Sequence, residues 1–372
     1  MTWNIPSDAQ VQQLLADRID RDRRGVGMAV GIIEPAGRRT VVHGVLDQES
    51  RWPVAGDSIF EIGAIAKVYT GLLLADMVAR GEAALTEPVA ALLDPAMSVP
   101  AWGDRKITLV DLATHTSGLP RLLPPMAADE LPSPDGGYTA VQLEEGLAAI
   151  QLSRDVGAAY EYSNLGFALL AHALSQRAGR DHEALVMARI VEPLGMSRTG
   201  LRRLPAHRAS AARGHDAELV AVPEGAVQVS AGAGALRSSV DDQLSFLAAH
   251  LALQASPLGP AMRAMREPRR STGIPGVDIA LGWHVLNLES EIFWHNGGAD
   301  GFRSFMGLDL QRQVGVVVLS NASSDIGVDD IGLHLLRPHR PLASPPKRPA
   351  GASAPQNAFD ERLRKNGPKI PL

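Results

Sequence analysis

Cysteine is absent from the 372 residues, which excludes a disulfide framework, thiolate zinc sites and a cysteine nucleophile. An excess of basic charge is missing as well. Acids outnumber bases 41 to 36, for a net charge of −5, which argues against a nucleic-acid binder working through a basic face. The apolar segments are interrupted within about a dozen residues, short of the roughly 20 that a membrane span needs. The start, Met1-Thr2-Trp3-Asn4-Ile5-Pro6, has neither a basic n-region nor an apolar h-region, so no secretory signal is visible. The expectation is a soluble, cytoplasmic protein with no membrane or nucleic-acid partner. No G-x-S-x-G elbow occurs, which disfavours an α/β-hydrolase. No Walker loop occurs, and Gly232-Ala233-Gly234 lacks the third glycine of a dinucleotide fingerprint. The eleven histidines are scattered without H-E-x-x-H or i,i+4 pairing, so neither a metal nor a cofactor is expected.

What is present is apolar material: 45% of the residues are hydrophobic, enough for one large or two moderate cores. A chain of this length buries about 75% of its unfolded surface. Residues 10–25 read as an amphipathic helix with Val11, Leu14, Leu15 and Ile19 on one side. Val26 to Ile33 and Arg39 to Val45, joined at Pro35-Ala36-Gly37, read as a β-hairpin. A helix is predicted from Ala64 to Arg80 with a stop at Gly81, another from Leu165 to Ala178 ended by Gly179, and a third from about His182 to Leu194. Residues 82–160 are rich in Pro and Gly, and Leu123 to Gly137 is a candidate cover. Asp241 to Leu253 is predicted helical. Val277 to Leu286, Glu291 to His295, Arg303 to Asp309 and Val314 to Leu319 read as successive strands, and Asp325 to Leu336 as a closing helix. With strands at both ends and helices between, the expected class is α/β (α+β): an antiparallel sheet with flanking helices, interrupted by a mostly helical insertion. The corresponding division is a sheet domain from 1–62 and 230–340, a helical domain from 63–229, and a Pro-rich tail from 341–372.

Three segments carry chemistry. The first is Phe60-Glu61-Ile62-Gly63-Ala64-Ile65-Ala66-Lys67, at the head of an apolar helix. A lysine desolvated there has its charged form disfavoured and becomes a usable base; the bland alternative is a lysine that runs along the helix to water. The second is Tyr160-Glu161-Tyr162-Ser163-Asn164. In extended backbone Tyr162 and Asn164 point the same way, offering a phenol and an amide to one cleft. The alternative is a core tyrosine and an Asn164 N-cap. The third is Trp294-His295-Asn296-Gly297-Gly298, a strand end followed by glycines whose N–H groups suit a developing oxyanion, or else a plain β-turn.

In their order and surroundings these segments resemble the serine β-lactamase-like family, which includes class C β-lactamases, DD-peptidases, D-aminopeptidases and family VIII carboxylesterases. The resemblance spans about residues 10–340. It extends to Ile107-Thr108-Leu109, Leu112-Ala113-Thr114-His115-Thr116-Ser117-Gly118-Leu119-Pro120, Glu192-Pro193-Leu194-Gly195-Met196, Ala233-Gly234-Ala235-Leu236-Arg237-Ser238 and Val314 to Asn321. It implies the β-lactamase/DD-peptidase-like fold. The family's S-x-x-K falls on Ala64-Ile65-Ala66-Lys67, its Y-x-N on Tyr162-Ser163-Asn164, and its K/H-x-G on His295-Asn296-Gly297. By the same resemblance Lys67 and Tyr162 share general-base work, and Asn164 holds a substrate carbonyl. His295 orients Tyr162 or the substrate, Asn296, Gly297 and Gly298 line the substrate, and the N–H groups of residue 64 and Gly298 form the oxyanion hole.

One departure matters. Position 64, where the family has its nucleophilic serine, is alanine, and without Oγ no acyl-enzyme forms. Ser58 and Ser163 are nearby in sequence, but Ser163 alternates away from the Tyr162 and Asn164 side. The chain reads either as a deliberate Ser→Ala form of a serine hydrolase or as a natural relative that only binds, and the intact Lys67, Tyr162, Asn164 and His295 favour the first. His295 in place of lysine points to esters or amides as substrates rather than carboxylate-bearing penicillins. Acyl transfer, peptide-cyclising thioesterase, D-aminopeptidase and β-lactamase chemistry remain alternatives of the same fold.

Overall fold

The computed structural model describes residues 4–123, 139–201, 209–223, 232–299, 301–324 and 326–343. The expected cover at 123–137 therefore lies almost wholly outside the described residues, as does nearly all of the tail. The strands are β1 (Gly27–Glu34), β2 (Gly37–Gly44), β3 (Phe60–Glu61), β4 (Ala101–Trp102), β5 (Arg105–Lys106), β6 (Arg237–Ser238), β7 (Arg270–Ser271), β8 (Val277–Ile279), β9 (His284–Leu286), β10 (Ile292–Ala299), β11 (Phe302–Asp309) and β12 (Val314–Ser320). The helices are α1 (Asp8–Ala16), α2 (Ala66–Ala79), α3 (Leu109–Ala113), α4 (Ala140–Ala148), α5 (Asn164–Ala178), α6 (His182–Val186), α7 (Val240–His250), α8 (Gly259–Ala264) and α9 (Asp329–Leu336).

Eight strands form one antiparallel sheet in the order β2-β1-β12-β11-β10-β9-β8-β7, so the N-terminal hairpin joins the C-terminal strands. The central strands are buried on both faces, which is why β1 and β12 read as nearly continuous apolar runs instead of alternating ones. Along β1, Met28, Val30 and Ile32 pack with α1 and α9 through Val11, Leu15, Ile331 and Leu335. Ala29 and Ile33 face the larger core shared with α2, α5 and α7. This gives layers of helices on both sides of the sheet, with the segment between β2 and β7 supplying the helices of the larger core. None of the described helices is long and apolar enough to cross a membrane.

Several expectations need correction. The first helix ends at Ala16 and continues as a five-residue π-turn to Arg21, short of residue 25. The predicted strand from Val277 to Leu286 is two strands, split by a turn in which the Ala280 N–H donates to the Trp283 carbonyl at 2.7 Å. Conversely, β10 does not stop at His295. It runs through Asn296, Gly297 and Gly298 to Ala299, paired residue for residue with β11, so the glycines belong to a strand and not to a β-turn. Pairing with a neighbour outweighed the low strand preference of glycine.

Candidate active site

The sequence from Phe60 to Lys67 passes from a strand into a helix beside β10. β3 pairs with β6, a single 3₁₀ turn spans Gly63–Ile65, and α2 begins at Ala66. Gly63 has φ +52, and a Cβ there would fall 2.8 Å from the Gly298 nitrogen. Only glycine fits both the backbone conformation and the contact. Next to it, Ser304 Oγ donates to the Ile62 carbonyl at 2.8 Å, the carbonyl against which Gly297 packs. Half-buried Ala64 thus stands where α2 meets β10.

α2 is buried all round, as a helix without a polar face must be, and Lys67 is buried with it at 0% exposure. Its Nζ donates to the Ala233 carbonyl at 2.6 Å, 166 residues away in sequence. The same nitrogen lies 4.9 Å from the Tyr162 ring centroid and 5.7 Å from that of Phe167. The lysine does not run to water.

Tyr162 precedes α5, whose N-cap is Ser163 and not Asn164. Ser163 Oγ accepts the Gly166 N–H at 2.8 Å and donates to the Pro120 carbonyl at 2.6 Å. Ser163 is therefore buried and committed to capping. Ser58 is also buried, its Oγ accepting the Ala55 N–H. Neither substitutes for a hydroxyl at position 64. Asn164 is half-buried as the first residue of α5, its N–H held by the Arg121 carbonyl at 2.9 Å. The Tyr162 ring is faced by His115 at 4.4 Å, His295 at 6.3 Å and His284 at 6.4 Å between centroids, and by the Arg121 guanidinium at 5.1 Å.

On β10, successive side chains face opposite sides of the sheet. Ile292 and Trp294 belong to the α1/α9 side, and the Asn296 amide donates to Asp329 of α9 at 2.9 Å. Asn296 is thereby tied to the face opposite His295. His295 Nδ1–H donates to the Asn296 carbonyl at 2.6 Å, leaving Nε2 as a buried lone pair when the ring is neutral. Burial first, then His284 and the Lys67 charge, push the imidazole well below its ordinary value. His295 is therefore neutral throughout the physiological range. Arg303 sits across from Gly298 on β11, with Nη1 donating to the Phe302 carbonyl at 2.8 Å.

Sequence reasoning missed three residues of this cluster. His284 is buried at the start of β9 and hydrogen-bonded through Nε2 to Tyr160 Oη at 3.0 Å; burial and the Lys67 charge lower it to about 4. His115 packs on Tyr162, and burial followed by the Lys67 charge holds it well below its usual value. Tyr160 was quoted with its neighbours but given no role. Among the described residues, no group of His, Asp or Glu side chains is arranged to hold a metal ion. The arrangement brings a buried cation, one turn along from Ala64, to the ring of Tyr162, with neutral imidazoles around them. Such a set can move a proton from a nucleophile at position 64.

A family model described as Beta-lactamase matches residues 8–337. The chain belongs to the beta-lactamase family. Within that family it is 29% identical over 323 residues to the D-alanyl-D-alanine-carboxypeptidase/endopeptidase AmpH of Escherichia coli K12, covering 83% of this chain and 82% of the relative. It is 34% identical to Esterase EstB of Burkholderia gladioli over 196 residues, 50% of this chain and 49% of that one. Among solved structures, the Beta-Lactamase/D-Alanine Carboxypeptidase from Pseudomonas syringae superposes with a TM-score of 0.78 at 20% identity, covering 91% of this chain and 100% of that one. The fold is the β-lactamase/DD-peptidase fold expected from the sequence, and the related proteins are hydrolases of β-lactamase, carboxypeptidase and esterase type.

Proposed function

We propose that this cleft is that of a serine hydrolase working through an acyl-serine on small neutral esters or amides, with its nucleophile position occupied by Ala64. The chain as it stands then binds substrate without turning it over. The observation that carries the reading is Lys67: fully buried one turn after Ala64, fixed by the Ala233 carbonyl, and 4.9 Å from the Tyr162 ring centroid. In a serine-bearing form, Lys67 and Tyr162 take the proton from Oγ as it attacks the carbonyl carbon and return it to the leaving group. The backbone N–H groups of residue 64 and Gly298 stabilise the oxyanion. The contact of Gly63 with the Gly298 backbone supports this pairing. A neutral His295 offers no lasting charge to a substrate carboxylate, which supports uncharged substrates.

A second reading is favoured by Ala64 itself: a protein that recognises such molecules and never cleaves them. One experiment separates the two. Ala64→Ser is expected to release p-nitrophenol from p-nitrophenyl butyrate with a burst equal to the enzyme concentration, while the Ala64 protein stays silent. A silent Ala64→Ser protein that still binds the ester would establish the binding protein. Equal turnover by the Ala64 protein would show that a different nucleophile operates.

A further inference from the structure

The run from Thr114 to Pro120, followed directly by Arg121, is a segment that the resemblance includes as far as Pro120 but to which it gives no role. In the structure it takes up the backbone around Tyr162. The Glu161 N–H donates to the His115 carbonyl at 2.8 Å, and the Ser163 N–H donates to His115 Nδ1 at 3.0 Å. Beyond them, the Asn164 and Leu165 N–H groups both donate to the Arg121 carbonyl, at 2.9 and 3.1 Å. His115 thus holds the residues on both sides of Tyr162, one with its main chain and one with its ring. The same ring lies 4.4 Å from the Tyr162 ring, tilted by 31°.

To do this the residue adopts φ +56, which a non-glycine residue rarely takes. Its Nε2 is buried without a hydrogen-bond partner. Both features cost stability, and they persist where surrounding structure and function require them. The Nδ1 lone pair can accept only while the imidazole is neutral. The groups facing it are Lys67 from α2, His284 from β9, His295 from β10 and Arg121 from its own loop, and all of them disfavour the charged ring after burial itself.

We infer that His115 is a positioning residue, a clamp that fixes the phenol of Tyr162 against Lys67 through the backbone on either side of it. Its catalytic consequence rests on the hydrolase reading above; the clamp itself does not. Two variants test it. Asparagine at this position can place Oδ1 where Nδ1 stands and accept the Ser163 N–H, whereas leucine fills the space and accepts nothing.

In the Ala64 protein, His115→Leu is expected to speed hydrogen exchange of the Ser163 amide by about fivefold or more, the loss expected when a net hydrogen bond near 1 kcal/mol is removed. His115→Asn is expected to retain most of the protection. In the Ala64→Ser background, His115→Leu is expected to lower kcat by about 100-fold, the effect of a misplaced catalytic group, with KM within threefold, and His115→Asn to recover at least tenfold of it. Unchanged exchange in the leucine variant, or an asparagine variant no better protected than leucine, overturns the clamp. If Ala64→Ser is silent, the hydrolase reading fails while the exchange measurement still decides the clamp.

Discussion

Lys67 and Arg337 are the two most deeply buried cations among the described residues, and their surroundings differ. Arg337, at the end of α9, is 1% exposed and lies 2.7 Å from the fully buried carboxylate of Asp309, with the Ser290 carbonyl at 3.2 Å and the Ser290 hydroxyl also in contact. Lys67, in α2, is bonded to a neutral carbonyl and laid against two aromatic rings, and its charge reaches three buried histidines. At Arg337 the fold neutralises what it buries. The Lys67 amine donates to a main-chain carbonyl dipole and faces the Tyr162 and Phe167 rings. Burial alone does not mark a functional group; the chemistry of what answers it does.

The contrast breaks most directly through rate. In an Ala64→Ser background, Lys67→Ala is expected to lower ester acylation by up to about 10⁴-fold, the upper range for a lost general base, measured as the stopped-flow burst rate. A loss below about tenfold would make Lys67 as structural as Arg337. Stability should show the reverse order. Asp309→Ala leaves Arg337 buried and uncompensated, at an expected cost of about 3–5 kcal/mol in urea unfolding. Lys67→Met, with similar volume and no charge, is expected to change stability by less than about 1 kcal/mol.

Acid sharpens the same comparison. His182 and His284 are held at about 4 and His115, His250 and His295 well below their usual value, in each case first by burial. A base whose folded pKa lies below its unfolded value near 6.5 loses stabilising effect as pH falls from 6.5 towards the folded value, because the unfolded chain binds the proton first. One such histidine, held at about 4, costs about 2 kcal/mol between pH 6.5 and 5. Unfolding free energy is therefore expected to drop by at least that amount over this interval, and a flat profile would contradict the neutral cluster around Lys67. Asp309 acts in a lower window. Burial pushes its carboxyl up, but hydrogen bonds from Ser290, Arg312 and Arg337 hold it below the ordinary value, so its contribution is present above about pH 4 and is lost only below that.

The smallest expected effect concerns specificity. His295→Lys, in the serine-bearing enzyme, is expected to shift the kcat/KM ratio about tenfold from neutral esters towards carboxylate-bearing penicillins, since a lysine adds a fixed charge. With histidine, that ratio is expected to stay constant from pH 8 to about 5.5. A ratio that moves with a midpoint near 6.5 would mean that His295 titrates as an exposed imidazole.

The fold was legible where burial imposes a pattern. The hairpin of β1 and β2, the strands β11 and β12, and α2 and α5 follow from apolar runs and end signals, because each is paired or packed over its whole length. The site was legible only as three segments without a geometry. Nothing local tells whether Lys67 runs to water or is stopped by Ala233, 166 residues on. Nor does any local signal join Tyr160 to His284 or Ser163 to His115, since both bonds cross between distant parts of the chain. The strand boundary at His295 was misplaced for the same reason: Asn296-Gly297-Gly298 extends only because β11 lies alongside.

The backbone contact between Gly63 and Gly298 separates construction from chemistry. The two chain segments meet through the main chain of two glycines, so this contact does not pass through the side chain of residue 64. On the proposed hydrolase reading, exchanging alanine for serine at position 64 switches cleavage on while this main-chain contact stays in place. Capture and turnover are then two settings of one architecture, and moving between them requires no refolding of either element.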